Sequence, residues 1–414
     1  MARNLKSVIL GISFMIMIFF GLFPYHVVSQ SSDSYWPSNT WETKTPESQN
    51  MDSTRLEEMY DYIYDNAINL QSLLIVRNGY IIEDVYLYNY TVVPNNTYVY
   101  DEDPYLQFIG NRHHMWSASK SVTSLLIGIA IENGYIDNVD QTFFEVFPDK
   151  WDVGYNETKK NITIEHLLTM THGLDWNESY DAFEIWPMGG YNISYVLNKE
   201  LVHEPGTYWE YSTGSTQLLS AIIQNKTEMK TAEFAKEYLF EPIGINDTEW
   251  FWLDSGEGIS TGGFGIFMTP RAMARIGLLC LNMGNWNGTQ VVPEEWIDVS
   301  TSVQWSGGLF DPFKRYGYLW WLSPDYYSAV GFLGQRINVI PEHDIVVVFT
   351  AEISDIGEGS VILPQDTIIN TYIIGSVIPP KVKLLIPGYD LFLLLGIISV
   401  GVILIIRKKK ASLQ

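Results

Sequence analysis

A serine and a lysine stand three residues apart in the segment Ser117-Ala118-Ser119-Lys120, which opens a long apolar run. Residues three apart share one face of a helix, so the Lys120 amine can lie beside the Ser117 hydroxyl. A serine hydroxyl becomes a useful nucleophile when a neighbouring base takes its proton, and lysine can be that base when burial lowers its pKa. The spacing therefore predicts an activated serine, although so short a pattern also arises by chance.

Helical patterns dominate the centre of the chain and predict the elements that position this pair. A first helix, STRLEEMYDYIYDN, begins at Asp52 or Ser53, which are suitable N-cap residues. A last helix, DTIINTYIIGSVI, ends before Pro379-Pro380. The helices predicted between them are SVTSLLIGIAIENG, TIEHLLTMT, STQLLSAIIQNK, TAEFAKEYLF, PRAMARIGLLCLN and PEEWIDVS.

Strand patterns lie at the two ends of the same region. LLIVRNGYIIEDVYLY predicts a hairpin, because both central residues of a type I′ turn need positive φ and Asn78-Gly79 supplies them. YGYLWWL, YYSAVGFLG and RINVI-PEHD-IVVVFTAE predict further strands, the last a second hairpin. Strands at both ends with helices between them must pair with each other. This predicts an α/β (α+β) fold, in which helices flank a mostly antiparallel sheet that carries an inserted helical subdomain.

Composition excludes several classes of function. The formal net charge of -23 repels phosphate backbones, which argues against nucleic acid as a partner. The single cysteine, Cys280, excludes an internal disulfide, and its apolar surroundings predict a buried thiol. Hydrophobic residues make up 46% of the 414 residues, which is ample for a large core.

Both ends of the chain predict contact with a membrane. Residues 1–29 have the basic start and apolar stretch of a signal peptide or an N-terminal anchor. Residues 30–50 resemble a polar linker, residues 51–379 a folded body and residues 380–388 a second linker. Residues 389–406 predict a transmembrane helix, and the basic tail 407–414 should stay in the cytoplasm. This predicts a single-pass protein of the cell membrane with an extracytoplasmic body.

Glycosylation signals agree with export of the body. The chain holds nine N-x-S/T sequons, all inside the predicted exported part, and such sites are modified in secreted proteins. They are Asn89, Asn95, Asn156, Asn161, Asn177, Asn192, Asn225, Asn246 and Asn287.

Six ordered blocks make the chain resemble a known family. Tyr211 lies before an apolar helix and Gly331 to Gln335 form a glycine-rich segment, both downstream of the Ser117 block. The blocks are MWSASKSVTSLLIGIAIENGYID, TIEHLLTMTHGLDW, EPGTYWEYSTGSTQLLSAII, GFGIFMTPRAMARIGLLCLNMG, YGYLWWL and VGFLGQRINVIPEHDIVVVFT. In this order they resemble the serine β-lactamase and penicillin-binding-protein-like hydrolases, in particular the class C-related esterases and the 6-aminohexanoate-dimer hydrolases.

The resemblance implies a β-lactamase/transpeptidase-like fold and a specific chemistry. Ser117 would be the nucleophile, Lys120 would share its proton network, and Tyr211 would be the base for acylation and the acid for the leaving group. The backbone N–H groups of Ser117 and Gln335 would form the oxyanion hole. No cofactor and no metal are implied.

Two motifs depart from the family pattern. Tyr211-Ser212-Thr213 replaces Tyr-x-Asn, and Phe332-Leu333-Gly334 replaces the Lys/His-Thr/Ser-Gly motif that grips a substrate carboxylate. Arg336 is not assumed to substitute for that cation, because strand alternation separates it from the motif. We therefore expect a neutral or apolar acyl group. The candidates for lining the substrate pocket are Thr213, Phe332, Leu333, Gly334, Trp176 and His114.

Other kinds of site find less support in the sequence. His166 and His172 lack the spacing of a metal site. The sequence thus predicts an extracytoplasmic serine hydrolase that cleaves small ester or amide bonds through an acyl-enzyme. Two alternatives remain open: a non-catalytic surface module that binds or senses ligands on the same fold, and a D-amino-acid-type peptidase or β-lactamase.

Overall fold

The computed structural model describes residues 35–38, 40–88, 91–93, 111–148, 158–185, 193–307, 312–351 and 362–379. Within these ranges, no helix is both long and apolar enough to cross a bilayer. The predicted signal or anchor segment 1–29, the linker 380–388, the predicted span 389–406 and the basic tail 407–414 lie outside the described residues.

An antiparallel sheet forms the base of the described part of the chain. Its strands run in the order β3-β2-β1-β14-β13-β12-β11-β10-β9, and a smaller sheet has the order β4-β6-β5. The bounds are β1 Leu70–Arg77, β2 Tyr80–Tyr88, β3 Thr91–Val93, β4 His113–His114, β5 Trp250–Trp252, β6 Ile266–Met268, β7 Asn285–Trp286, β8 Thr289–Gln290, β9 Trp305–Ser306, β10 Arg315–Tyr316, β11 Trp321–Leu322, β12 Tyr327–Val330, β13 Arg336–Ile340 and β14 Ile345–Ala351.

Two hairpins and the pairing of the terminal strands set the strand order of this sheet. Asn78 (φ 51°) and Gly79 (φ 84°) form the tight turn between β1 and β2, which confirms the predicted hairpin. The second predicted hairpin is also present, as β13 and β14. β1 pairs with β14, from Leu70 opposite Ala351 to Arg77 opposite Ile345, so the strands at the two ends of the body do pair with each other.

Helices cover the sheet and form the insertion. The bounds are α1 Ser53–Asp65, α2 Ser119–Glu132, α3 Phe143–Val146, α4 Ile164–Leu168, α5 Glu178–Ile185, α6 Ile193–Leu197, α7 Thr213–Thr227, α8 Thr231–Ala235, α9 Pro270–Leu281, α10 Glu294–Ser300 and α11 Ile362–Thr367, which continues as a π turn and a 3-10 turn to Ser376. α9 packs on β13 and β14, whereas α2, α3, α4 and α6 all pack around α7. The predicted mixture of an antiparallel sheet and an inserted helical region is therefore observed, and α2 and α7 lie in contact at its centre.

The predicted polar linker 30–50 is wrong for the part that the structure describes. Backbone hydrogen bonds join Lys44 N–H to Ile81 O at 2.9 Å and Ile81 N–H to Glu42 O at 3.0 Å. The Arg275 guanidinium also donates to Pro37 O at 3.0 Å. The backbone of this segment is therefore bonded to the domain, and its Trp36 and Trp41 side chains pack against the core.

YGYLWWL is not one strand, as predicted, but a turn between β10 and β11. Leu319 has a positive φ of 64°, and its N–H donates to Leu168 O at 3.1 Å. Tyr318 N–H donates to Ser300 O at 2.9 Å. Aromatic composition favours a strand, but these tertiary contacts hold the backbone in a turn.

Gly128, in the middle of α2, allows α10 to approach the helix that carries Lys120. A Cβ atom at this position would lie 2.3 Å from the Trp296 ring, whereas one at Gly375 would meet nothing closer than 3.7 Å. We expect Gly128→Ala to lower the free energy of unfolding by about 1–3 kcal/mol through overpacking. Urea unfolding measures it, with Gly375→Ala as the matched control. A Gly128→Ala variant as stable as the control would contradict this packing.

Candidate functional site

Ser117 lies in a short 3-10 turn, Trp116–Ala118, that leads directly into α2. Trp116 has a φ of 51°, a left-handed conformation that costs a non-glycine residue about 1 kcal/mol or more. The turn is closed by a hydrogen bond from Ala118 N–H to Met115 O at 3.1 Å, and Met115 N–H donates to Ile266 O at 2.9 Å. Ser117 is half-buried, and these two hydrogen bonds fix the backbone on both sides of it.

Lys120 is 1% exposed, and its amine is surrounded by oxygen atoms. Its Nζ lies 3.0 Å from Ser117 Oγ, 2.8 Å from Thr213 Oγ1 and 2.9 Å from Gly263 O. Burial lowers the pKa of Lys120 to about 8, although the nearby Glu178 carboxylate acts in the opposite direction. The amine can therefore lose its proton near neutral pH.

Tyr211 covers the same amine from the loop before α7. Its ring centroid lies 4.8 Å from Lys120 Nζ. Burial raises the pKa of Tyr211, Glu178 raises it further, and a hydrogen bond with Ser117 partly offsets both effects. Its ring packs in an aromatic cluster, 5.7 Å from Trp321 and 6.2 Å from Trp209. Tyr211 is thus held as a neutral phenol next to the serine.

Thr213 is 2% exposed, and its hydroxyl is fully engaged. It accepts from Lys120 and donates to Glu178 Oε1. A hydroxyl has one proton, so Thr213 has no donor left for a substrate amide. The predicted pocket residue is therefore part of the polar network around Lys120.

The segment Phe332-Leu333-Gly334 forms a turn between β12 and β13 rather than a strand edge. The turn is closed by Gly331 N–H donating to Gln335 O at 2.8 Å. It packs against the turn that carries Ser117, since a Cβ on Gly331 would lie 2.1 Å from Met115 O. The Gln335 side chain is buried and bonds to the backbone of Ala351.

Phe332 and Leu333 give this turn an apolar surface. Phe332 is 54% exposed and meets the Trp116 ring edge to face at 5.6 Å. Leu333 has a φ of 61°. Arg336 is completely buried, with its guanidinium 5.1 Å from the Phe313 ring, so it cannot reach a substrate carboxylate.

Two of the predicted pocket residues, Trp176 and His114, pack against other residues of the site. Trp176 is 1% exposed, which corrects its prediction as a pocket wall, and its Nε1 donates to Glu178 Oε2 at 2.7 Å. The His114 ring stacks between Trp116 at 4.0 Å and Phe267 at 4.2 Å. Burial lowers the pKa of His114 to about 4, so its ring is neutral at physiological pH.

The other two histidines considered from sequence have structural partners. His166 Nδ1 accepts from Thr163 N–H at 3.2 Å, and His172 Nδ1 accepts from Leu174 N–H at 3.0 Å. No cluster of three potential metal ligands occurs among the described residues.

Sequence reasoning missed Glu178, for which no carboxylate role was predicted, and Gly263. Glu178 begins α5, and both its oxygens face the first turn of α7. No local pattern marks either residue, because each reaches Lys120 or Thr213 only through the packing of segments distant in the chain.

Comparison with known proteins places this geometry in a family. The family model described as Beta-lactamase matches residues 92–358. A 6-aminohexanoate-dimer hydrolase of Paenarthrobacter ureafaciens is 26% identical over 58% of this chain and 65% of its own length. An uncharacterized protein of Alkalihalophilus pseudofirmus is 23% identical over 67% of this chain and 82% of its own length.

Solved structures show the same architecture. A structure described as a 6-aminohexanoate-dimer hydrolase from Bacillus anthracis superposes with a TM-score of 0.61 at 18% identity, covering 81% of this chain and 86% of that one. At this identity the likeness shows the fold. The family model, in contrast, spans more than half of the chain and includes Ser117, Lys120, Tyr211 and the turn at Gly331. The chain therefore belongs to the β-lactamase family of serine hydrolases.

Proposed function

We propose that the protein cleaves small ester or amide bonds through an acyl-enzyme on Ser117. One observation carries this proposal: the half-buried Ser117 hydroxyl lies 3.0 Å from a buried lysine amine whose pKa is lowered to about 8. Such an amine is a base poised near physiological pH, and a positioned base of this kind accelerates acyl transfer about 10²–10⁴-fold.

As an ammonium, Lys120 donates to Ser117 Oγ, Thr213 Oγ1 and Gly263 O. When the amine is neutral, its two N–H groups can stay with Thr213 and Gly263, and its lone pair can accept the Ser117 O–H proton. That proton moves to Nζ while Ser117 Oγ bonds to the substrate carbonyl carbon. The backbone N–H groups of Ser117 and Gln335 are proposed to bind the resulting oxyanion.

Tyr211 is proposed to act as the acid. Its raised pKa keeps the phenol protonated, which suits donation to the leaving oxygen or nitrogen better than the role of first base. The leaving group departs with the Tyr211 proton, and Lys120 returns its proton to the phenol. Water then attacks the acyl-enzyme by the same route, and Ser117 regains its hydrogen.

Neutral, apolar acyl groups fit the walls of this site. The Phe332-Leu333-Gly334 turn carries no cation, and Arg336 is buried away from it. Exposed Phe332 beside Trp116 offers apolar contact. These features favour an esterase or amidase over a D-amino-acid-type peptidase or β-lactamase, which needs to grip a carboxylate. The relative from Paenarthrobacter ureafaciens is named for a dimer joined by an amide bond, which supports amide cleavage.

We also propose that the body acts outside the cytoplasm, anchored through residues 389–406. The apolar stretch followed by the basic tail 407–414 supports this location, as do the nine sequons. Alkaline extraction of membranes, followed by protease treatment of intact cells, tests it. Protein released by alkali, or a body protected in intact cells, would contradict the proposed location.

The nucleophile can be identified by covalent labelling. We expect a fluorophosphonate probe to add once to the purified protein, at Ser117, because the hydroxyl of this serine lies 3.0 Å from the buried Lys120 amine. Intact mass and peptide mapping locate the adduct, and Ser117→Ala should remain unlabelled. Absence of labelling in folded wild-type protein would favour the non-catalytic surface module instead.

Activity should depend on the protonation of Lys120. Because the base works when neutral, kcat/KM for p-nitrophenyl butyrate should rise with pH through a midpoint near 8. Burial holds the pKa values of His113, His114 and His172 at about 4, so these groups cannot produce that limb. A midpoint near 6 would contradict the assignment of Lys120 as the base.

Removing the Tyr211 hydroxyl should slow both halves of the reaction. We expect Tyr211→Phe to lower kcat about 100-fold or more, because the leaving group and the attacking water both use this proton carrier. The ring contacts with Trp209 and Trp321 are kept, so thermal unfolding should stay near that of the wild type. Quenched-flow mass spectrometry of the acyl-enzyme formed from ethyl butyrate, whose alkoxide leaving group needs a proton, separates acylation from deacylation. Equal turnover by the variant would remove Tyr211 from the mechanism.

A further inference from the structure

Glu178 is a carboxylate next to the site that the proposed mechanism leaves unused. Its Oε2 accepts hydrogen bonds from the backbone N–H of Thr213 at 2.8 Å and from Trp176 Nε1 at 2.7 Å. Its Oε1 accepts a hydrogen bond from the Thr213 hydroxyl. Three donors from two segments therefore fix both oxygens, which is more than a solvated surface carboxylate requires.

The Thr213 hydroxyl connects this carboxylate to Lys120. Lys120 Nζ donates to Thr213 Oγ1 at 2.8 Å, so the single Thr213 proton is available for Glu178. This direction requires an acceptor at Glu178, which a carboxylate oxygen provides. One oriented hydroxyl thus lies between a negative charge and the amine that takes up a proton.

We propose that Glu178 and Thr213 form one unit with Lys120, in which Glu178 orients the base and stabilises the positive charge that it gains. The inference rests on the proposed function, because it assigns a positioning role in acylation. In that step the Ser117 proton moves to Lys120 Nζ and Ser117 Oγ bonds to the carbonyl carbon, whose π electron pair moves to oxygen. The Thr213 proton stays on its own oxygen. The logic is that of the third member of a Ser-His-Asp triad.

Lys120 is the group near Glu178 whose protonation changes close to neutral pH. Glu178 acts to raise the pKa values of Lys120, Tyr211 and Tyr316. Both tyrosines are already held protonated by burial, so their charge does not change near neutral pH. The protonation of Lys120 is therefore the quantity that the Glu178 charge controls.

A separate ion pair lies one turn further along α5. Asp181 is 1% exposed, lies 2.5 Å from Lys199 Nζ and accepts the hydroxyl proton of Tyr195. Glu210, whose pKa is raised by burial, also interacts with Asp181. Lys199 neutralises the Asp181 carboxylate, which fixes the start of α5. The Glu178 carboxylate keeps its own hydrogen bonds to Thr213.

Glu178→Gln tests the role of the charge with little change in size. We expect kcat for p-nitrophenyl butyrate to fall about 10- to 100-fold, because a charge that stabilises the protonated base is lost. The rising limb of the kcat/KM pH profile should move to lower pH, because Glu178 raises the pKa of Lys120. A role limited to packing would leave the midpoint of that limb unchanged.

Glu165→Gln is the matched control. Glu165 is half-buried like Glu178 and accepts the Tyr318 hydroxyl proton at 2.6 Å, but it does not contact Thr213 or Lys120. We expect it to leave kcat and the pH profile at wild-type values. Thermal unfolding of both variants verifies that they are folded.

Thr213 variants test the bridge independently if Glu178→Gln folds poorly. Thr213→Val removes the hydroxyl at similar size and should lower kcat as Glu178→Gln does, whereas Thr213→Ser keeps the bridge and should retain most activity. The double variant Glu178→Gln/Thr213→Val should be no slower than the slower single variant, because residues of one unit are strongly non-additive.

The outcomes separate this inference from the proposed function. If the fluorophosphonate labels wild-type Ser117 but Glu178→Gln keeps the wild-type kcat, the proposed function stands and the role of Glu178 is wrong. An unshifted pH limb, or multiplicative effects in the double variant, also overturns it. If wild-type Ser117 is not labelled, the proposed function itself fails.

Discussion

The site depends on the burial of one amine. Lys120 lies where α2 meets α7, 1% exposed, and oxygen atoms from three segments surround its Nζ. Desolvation opposes the ammonium form, while the acceptors and the Glu178 charge favour it. The balance sets a pKa of about 8, so the same amine can take a proton and return it. Helix packing thus serves the chemistry by excluding water from Nζ.

The two sides of the site differ in chemical character. On the helical side, Thr213 and Glu178 form a polar network in which every hydroxyl proton is engaged. On the sheet side, the Phe332-Leu333-Gly334 turn packs on the nucleophile segment and presents an apolar surface. Charge is therefore concentrated around the Lys120 amine, whereas the turn on the sheet side exposes aromatic and aliphatic side chains. This division accounts for both departures from the family motifs.

Local rules predicted much of this structure. The i, i+3 spacing predicted that Lys120 lies beside Ser117, the Asn78-Gly79 pair predicted the first hairpin, and the order of elements predicted the pairing of β1 with β14. The same rules failed where distant contacts decide the conformation. YGYLWWL is bent by hydrogen bonds to Leu168 and Ser300, and Trp176 is buried against α7 instead of lining a pocket.

The sequence by itself determined the reactive pair, the secondary structure around it and the resemblance to a family, since these follow from spacing, turn chemistry and the order of motifs. Only the tertiary structure decided that Glu178 reaches Lys120 through Thr213 and that Gly263 supplies the third oxygen. It also decided how far the pKa of Lys120 falls. The physical reason is that desolvation and charge interactions depend on distances between packed segments, which neighbouring residues along a chain do not specify.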